Sequence, residues 1–85
     1  MPRRQRVIYT VHATKMLSER TIAPSWVEQT LLDPDSVEPD PRHADSKRAF
    51  RRIPERDGRV LRVVYGATDG TLRVVTLFLD RGRRQ

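Results

Sequence analysis

The sequence predicts an α+β domain in which two short helices precede an antiparallel meander of three or four strands. Apolar residues recur at helical spacing between residues 12 and 31, and the pattern changes to alternation after residue 35. Arg56-Asp57-Gly58 and Thr68-Asp69-Gly70 are hairpin signals within the alternating part. A chain of 85 residues is long enough for one modest core, so we expect a single domain over residues 7–80.

Two segments account for the helical part of the pattern. Residues 12–21 place their apolar side chains on one side of a helix, and Thr10 and Thr14 are the candidates for its start. Pro24 suits the first turn of a second helix, which ends before Asp33-Pro34-Asp35. Residues 7–11 fit either a short edge strand or an extended approach to the first helix.

Four segments have strand character and form the predicted meander: residues 36–38, 47–53, 59–67 and 72–80. The chain ends are basic and polar. Residues 1–6 form a leader with three arginines, and residues 81–85 form a tail with three more. We expect both to lie outside the domain.

The positive charge is concentrated in the C-terminal half. Residues 42–85 contain twelve Arg or Lys and five Asp or Glu, whereas residues 7–41 contain two bases and six acids. A basic surface of this kind suits a polyanion, and phosphate is the first candidate. Fifteen of the seventeen bases are arginine, which a GC-rich genome would also produce. The charge alone therefore specifies no partner.

The composition excludes several classes of site. The chain has no cysteine, so it has neither disulfides nor thiolate metal sites. Its two histidines and scattered acids have no spacing typical of a metal site, and it has no glycine-rich phosphate loop, G-x-S-x-G or H-E-x-x-H motif. We expect no metal and no cofactor. Without a signal peptide or a long apolar run, the expected location is the cytoplasm, with no membrane contact.

Side-chain alternation predicts what the last two strands present on each face. Leu61, Val63 and Tyr65 are opposed to Val60, Arg62 and Val64, and Val75, Leu77 and Leu79 are opposed to Val74, Thr76 and Phe78. Since both faces are largely apolar, helices on one side would leave the other face partly exposed. Arg62 and Thr76 would then line a shallow concavity on that face. The alternative is that a dimer partner or another protein covers this face of the sheet.

His12 is the only histidine within a predicted regular element. Imidazole can both give and take a proton near neutral pH, although a lone histidine at a helix start is more often a capping or packing residue. Lys15 lies on the same polar stripe, and Arg20 follows about two turns later on nearly the same face. Pairing with a neighbouring glutamate or a helix-end carbonyl is the other interpretation of Arg20.

The arginine-rich strand adds candidates for phosphate binding. By alternation Lys47 and Arg51 share one face, and Arg48 and Arg52 share the other. Guanidinium groups bind phosphate bidentately and stabilise the charge of a phosphoryl transition state. RNA can be cut without a metal when a base takes the 2′-hydroxyl proton, the oxygen attacks the adjacent phosphorus, and an acid protonates the departing 5′ oxygen. Tyr65 is a candidate for stacking on a base.

The run Y-T-V-H-A-T-K-M-L-S-E-R over residues 9–20, with the later segments W-V-E-Q-T-L, R-V-L-R-V-V-Y and R-V-V-T-L-F, resembles a family of small bacterial proteins catalogued as a domain of unknown function. That family is similar to a group of metal-independent ribonucleases that includes RelE-like toxins, barnase, EndoU and colicin-type tRNases. The resemblance covers residues 7–79. It implies two N-terminal helices packed on a four-stranded antiparallel sheet, with the active surface between the first helix and the sheet.

The resemblance also implies a set of site residues. His12 would be the general base or acid, Arg20 and Arg62 the phosphate clamps, and Thr76 a positioning hydroxyl. Lys15 would be an auxiliary phosphate contact. The wider substrate-binding set adds four residues of the sheet: Lys47, Arg48, Arg51 and Tyr65.

We therefore expect a metal-independent ribonuclease of the kind that acts as the toxin of a toxin–antitoxin pair. The expected partners are RNA, either free or on the ribosome, an acidic antitoxin, and a second copy of the chain. The alternative is a non-catalytic RNA-binding or protein-interaction module on the same fold.

Overall fold

In a computed structural model the protein is described over residues 6–42 and 44–84, and its side chains are described as far as Asp80. Residues 1–5 of the predicted leader, His43 and Gln85 lie outside the described residues. The elements, in chain order, are β1 Arg6–Tyr9, α1 Val11–Glu19, α2 Pro24–Leu32, β2 Ser36–Pro39, β3 Ser46–Ile53, a 3-10 turn Pro54–Arg56, β4 Arg59–Thr68 and β5 Thr71–Arg84.

The five strands form one mixed sheet in the order β1-β5-β4-β3-β2. Strands β2 to β5 are the predicted antiparallel meander, and the α+β class is confirmed. The prediction of four antiparallel strands behind two N-terminal helices is wrong in one respect, because β1 precedes the helices and pairs in parallel with β5. This pairing joins residues more than sixty positions apart, so no local turn signal in the sequence could indicate it.

Each helix begins for an identifiable reason. Thr10 is the N-cap of α1, and its Oγ1 accepts a hydrogen bond from the Ala13 amide at 3.1 Å. α2 has no side-chain cap, but Pro24 occupies its first turn, where a missing amide hydrogen costs nothing. Of the two predicted candidates for the start of α1, Thr10 is confirmed.

The main core lies between the helices and one face of the sheet. Its buried members come from the helical segments, from β3 and from the two central strands: Ala13, Ile22, Val27, Ile53, Leu61, Val63, Val74 and Leu77. The other face of the sheet has no helix, yet Phe50 and Val60 are fully buried there. The Cζ of Arg48 lies 5.9 Å from the centroid of Phe50, and the Cζ of Arg62 lies 4.1 Å from the centroid of Phe78. These long side chains therefore cover apolar surface while their charged ends remain near solvent.

A β-bulge changes the predicted faces of β5. Val64 pairs with Thr76, but the next residue of β4, Tyr65, pairs with Val74, so Val75 is an extra residue in β5. Val74 consequently joins the helix-side core, and the prediction that it shares a face with Thr76 is wrong. Thr76 and Phe78 lie on the helix-free face as predicted, because the alternation is intact beyond the bulge.

Both described helices are nine residues long, and neither has the length and apolar character needed to cross a membrane.

Leu77 and Leu32 offer a matched test of the core. Leu77 is fully buried, whereas Leu32 at the end of α2 is 72% exposed. We expect Leu77→Ala to lower the free energy of unfolding by about 2–5 kcal/mol, because it leaves a cavity in the core. Leu32→Ala should change it by less than about 0.5 kcal/mol. Urea denaturation measures both, and equal losses in the two variants would contradict this position of the core.

Candidate functional site

The candidate site begins where β1 ends. β1 pairs only with residues 71–74 of β5, and the chain then turns into α1 beside the bulge at Val75. The Thr10 amide donates to the Val74 carbonyl at 3.1 Å, and the Thr10 hydroxyl donates to the Val75 carbonyl at 3.0 Å. The same hydroxyl accepts from the amide of Ala13. The first turn of α1 is thus fixed to the edge of β5.

This attachment brings His12 close to Thr76, the residue of β5 that follows Val75. The Nε2 of His12 lies 3.1 Å from the Oγ1 of Thr76, at an exposed position, and the tautomer of the imidazole decides which atom donates. A neutral imidazole with its lone pair on Nε2 accepts the threonine proton, and an imidazolium donates to the threonine oxygen. The contact therefore orients one ring nitrogen towards the helix-free face of the sheet.

Thr76 also lines a cavity of about 320 Å³ on that face. The lining combines three arginines with one acid, a hydroxyl and apolar groups: Asp40, Pro41, Arg42, Arg48, Arg62, Val64, Thr76 and Phe78. Because Thr76 belongs both to this lining and to the His12 contact, the imidazole lies at the border of the cavity. We call this arrangement the His12 cavity.

Carboxylates balance much of the positive charge in the His12 cavity. Arg48 Nη2 donates to Glu38 Oε1 at 2.7 Å, and Arg62 Nη2 lies 3.8 Å from Asp80 Oδ2. Asp40 is mostly buried, and its carboxylate accepts the backbone amide of Arg42 at 2.9 Å. Glu38 and Asp80 orient the guanidinium groups of Arg48 and Arg62, and the three carboxylates lower the net charge of the face below what the arginines alone indicate. The Nε of Arg48 is buried and has no hydrogen-bond acceptor among the described residues.

Four of the predicted site residues are therefore brought together: His12, Arg48, Arg62 and Thr76. Arg20 is separate, because it lines a second cavity at the other end of α1. Lys15 is exposed, and its Nζ lies 3.7 Å from the carboxylate of Glu19 one turn later, as in an ordinary surface helix pair.

The remaining three predicted residues lie on the helix-side face of the sheet. Lys47 pairs with Tyr65 across β3 and β4, and both line a separate cavity of about 340 Å³. Arg51 Nη1 donates to the Asp33 carbonyl at 2.6 Å and lies 3.3 Å from its carboxylate, so it holds the end of α2. The sheet separates Lys47, Arg51 and Tyr65 from the His12 cavity.

The acids of the site were not predicted from the sequence. Glu38, Asp40 and Asp80 each lie on or beside the cavity, but they belong to three different segments. The acid and base that lie closest together are Glu38 and Arg48, which are opposite each other in the register of β2 and β3. The alternation of side chains alone does not determine that register. Within residues 6–42 and 44–84, no group of three or more His, Asp or Glu side chains is placed to hold a metal ion.

The two tyrosines provide a titration test of this arrangement. Burial raises the pKa of Tyr65 above the ordinary value of 10.0, and burial followed by the nearby Glu28 carboxylate raises the pKa of Tyr9. A raised pKa means that the contribution of each tyrosine to folding stability is fully present below its unfolded-state pKa of about 10 and is lost as the pH rises through its folded-state pKa.

In the variant Tyr9→Phe, Tyr65 is the only tyrosine. We therefore expect its hydroxyl to ionise at a higher pH in the folded chain than in urea. Spectrophotometric titration measures this difference. Identical midpoints in buffer and in urea would show that Tyr65 is solvated rather than packed beside Lys47 and Leu31.

Comparison with known proteins agrees with one part of the sequence resemblance. No curated protein and no solved structure matches the chain significantly. A family profile described as a domain of unknown function, DUF4258, matches residues 9–79, which include α1, the bulge of β5 and every residue of the His12 contact. Since this match covers most of the 85 residues, the chain belongs to the DUF4258 family.

Proposed function

We propose that the protein is a metal-independent ribonuclease that cuts RNA at the His12 cavity. The observation that supports this most strongly is the 3.1 Å contact between His12 and Thr76 at the border of a cavity lined by Arg48 and Arg62. A group able to transfer protons near neutral pH thus lies at the border of a cavity that contains two groups able to bind a phosphate. Attack by a 2′-hydroxyl on the adjacent phosphodiester uses groups of these two kinds.

In the proposed reaction His12 Nε2 takes the proton from the 2′-hydroxyl, and the 2′-oxygen forms a bond to the adjacent phosphorus. The bond from phosphorus to the 5′-oxygen breaks, and that oxygen takes a proton from water in the open cavity. The products are a 2′,3′-cyclic phosphate and a free 5′-hydroxyl. Thr76 holds the imidazole by its hydrogen bond until the 2′-hydroxyl replaces it as the donor.

Arg62 and Arg48 bind the phosphate and stabilise the negative charge that grows on it. Each is oriented by a carboxylate, Asp80 or Glu38, and each lies over an aromatic ring, so neither guanidinium is free to rotate widely. Fixed donors cost little reorganisation when negative charge grows on the phosphate oxygens. A phosphate in the cavity would bind to the guanidinium groups of these side chains.

One observation favours a second candidate function. Because Glu38, Asp40 and Asp80 offset the arginines, the face is less positive than the sequence composition suggests, and it suits a mixed-charge protein partner. An antitoxin on this face would block the His12 cavity, which is consistent with the toxin role. A non-catalytic interaction module would use the same surface without cleavage.

Cleavage of end-labelled RNA in excess chelator, with and without translating ribosomes, tests the proposal. We expect His12→Gln to lower the rate at least about 100-fold, because glutamine can keep the bond to Thr76 but cannot transfer the proton. Arg73→Gln is the control, since it removes one exposed arginine of β5 outside the cavity. The cleaved ends should carry a 2′,3′-cyclic phosphate.

Equal cleavage by the wild-type protein and His12→Gln would refute the proposed role of His12. If RNA binds with a clear salt dependence but is not cut under either condition, the binding module replaces the ribonuclease.

A further inference from the structure

A second cavity, of about 210 Å³, lies at the opposite end of α1 from His12. Three of its six lining residues are arginines, and none is an acid: Met16, Arg20, Arg56, Arg59, Phe78 and Leu79. We call Arg20, Arg56 and Arg59 the arginine triad. Arg20 was predicted as a phosphate ligand beside His12, but Arg56 and Arg59 were not singled out by the sequence.

Three separate elements bring the triad together. Arg20 is the C-cap of α1, and Arg56 ends the 3-10 turn, where its Nη1 donates to the Thr21 carbonyl at 3.1 Å. Arg59 opens β4 directly after Asp57 and Gly58, whose φ angles of 56° and 72° make the tight turn. Arg56 is therefore tied to the end of α1, and the other two side chains meet it across the cavity.

The triad differs from the His12 cavity in its charge balance. No ion pair joins a triad guanidinium to a carboxylate within the described part of the chain, whereas Arg48 and Arg62 both have carboxylate partners. The carboxyl end of α1 contributes only about half a negative charge nearby. Three clustered guanidinium groups without an acid repel one another, and an oxyanion with several acceptor oxygens relieves that repulsion.

We infer that the arginine triad is a second phosphate subsite, which binds a backbone phosphate of the same RNA strand whose scissile phosphate occupies the His12 cavity. This inference rests on the proposed function. The two cavities share Phe78, over which Arg62 is stacked. The eight helical steps from His12 to Arg20 span about 12 Å, so an extended strand can reach both sites. The subsite would place the strand along the edge of β5 that β1 leaves unpaired.

The test compares oligonucleotides of two lengths. A 2′-O-methyl dinucleotide has one phosphate and no attacking hydroxyl, and it should occupy the His12 cavity alone. A 2′-O-methyl octanucleotide should reach both sites. Binding is followed by NMR titration for the weak ligand and by fluorescence anisotropy for the longer one. Arg59→Gln and Arg20→Gln are compared with Arg73→Gln, which removes the same charge from an exposed residue in the part of β5 that pairs with β1, outside the lining of both cavities.

We expect Arg59→Gln and Arg20→Gln each to weaken octanucleotide binding about tenfold and to leave dinucleotide binding unchanged. The slope of log K against log salt concentration should fall by about 0.7 for the octanucleotide, as for one lost contact to a single strand. Arg73→Gln should change neither affinity. Thermal melting of each variant shows whether the fold is intact.

A triad variant that binds the octanucleotide like Arg73→Gln would overturn the subsite. Equal weakening for both lengths in a folded variant would also overturn it, because the triad would then act on the His12 cavity itself. Cleavage separates this inference from the proposed function. If the triad variants weaken binding of the longer RNA only, but RNA is not cut, the subsite is supported and the ribonuclease is refuted. If RNA is cut but the triad variants show no dependence on RNA length, the ribonuclease is supported and the subsite is refuted.

Discussion

The hydroxyl of Thr10 joins the two halves of this domain. It donates to the Val75 carbonyl at the bulge of β5 and accepts from the amide of Ala13 in the first turn of α1. One side chain thus ends the pairing of β1, caps α1 and fixes the helix to the central sheet. If α1 were attached elsewhere, His12 would not lie beside Thr76, and the arginines of the helix-free face would lack this imidazole at their border.

The β-bulge is the second constraint, and it shows where sequence reasoning fails. Alternation correctly placed Arg62 and Thr76 on one face, and it correctly separated Arg48 from Lys47 and Arg51. It put Val74 on the wrong face, because an extra residue in one strand has no signature in a pattern of alternating valines. The bulge lets Val74 pack in the core while Thr76, two residues later, points to the opposite face.

Long-range contacts explain the other differences. The helices and the antiparallel meander follow from local patterns, and they were predictable, whereas the sequence left Thr10 and Thr14 open as the start of α1. The parallel pairing of β1 with β5 was not predictable, since it depends on residues at the two ends of the chain. The separation of Arg20 from the His12 cavity has the same origin. Residues two turns apart share a helix face, but only the path of β5 decides which cavity each one meets.

Charge pairing gives the two cavities different characters. In the His12 cavity, carboxylates hold Arg48 and Arg62 in fixed positions, which suits groups that must meet developing charge. Among the described residues no carboxylate pairs with the arginine triad, which suits ground-state binding of an anion. A strand of RNA that lies along β5 would be cut in the His12 cavity and held in place by the arginine triad.

In the proposed function, Thr10 positions His12 to act with the helix-free face. NMR mapping of the wild-type protein with a 2′-O-methyl RNA tests it most directly, because the side-chain signals of His12, Thr76, Arg48 and Arg62 report on that face alone. We expect saturable shifts of all four signals on one binding curve. Shifts confined to Lys47, Arg51 and Tyr65 on the opposite face would contradict it.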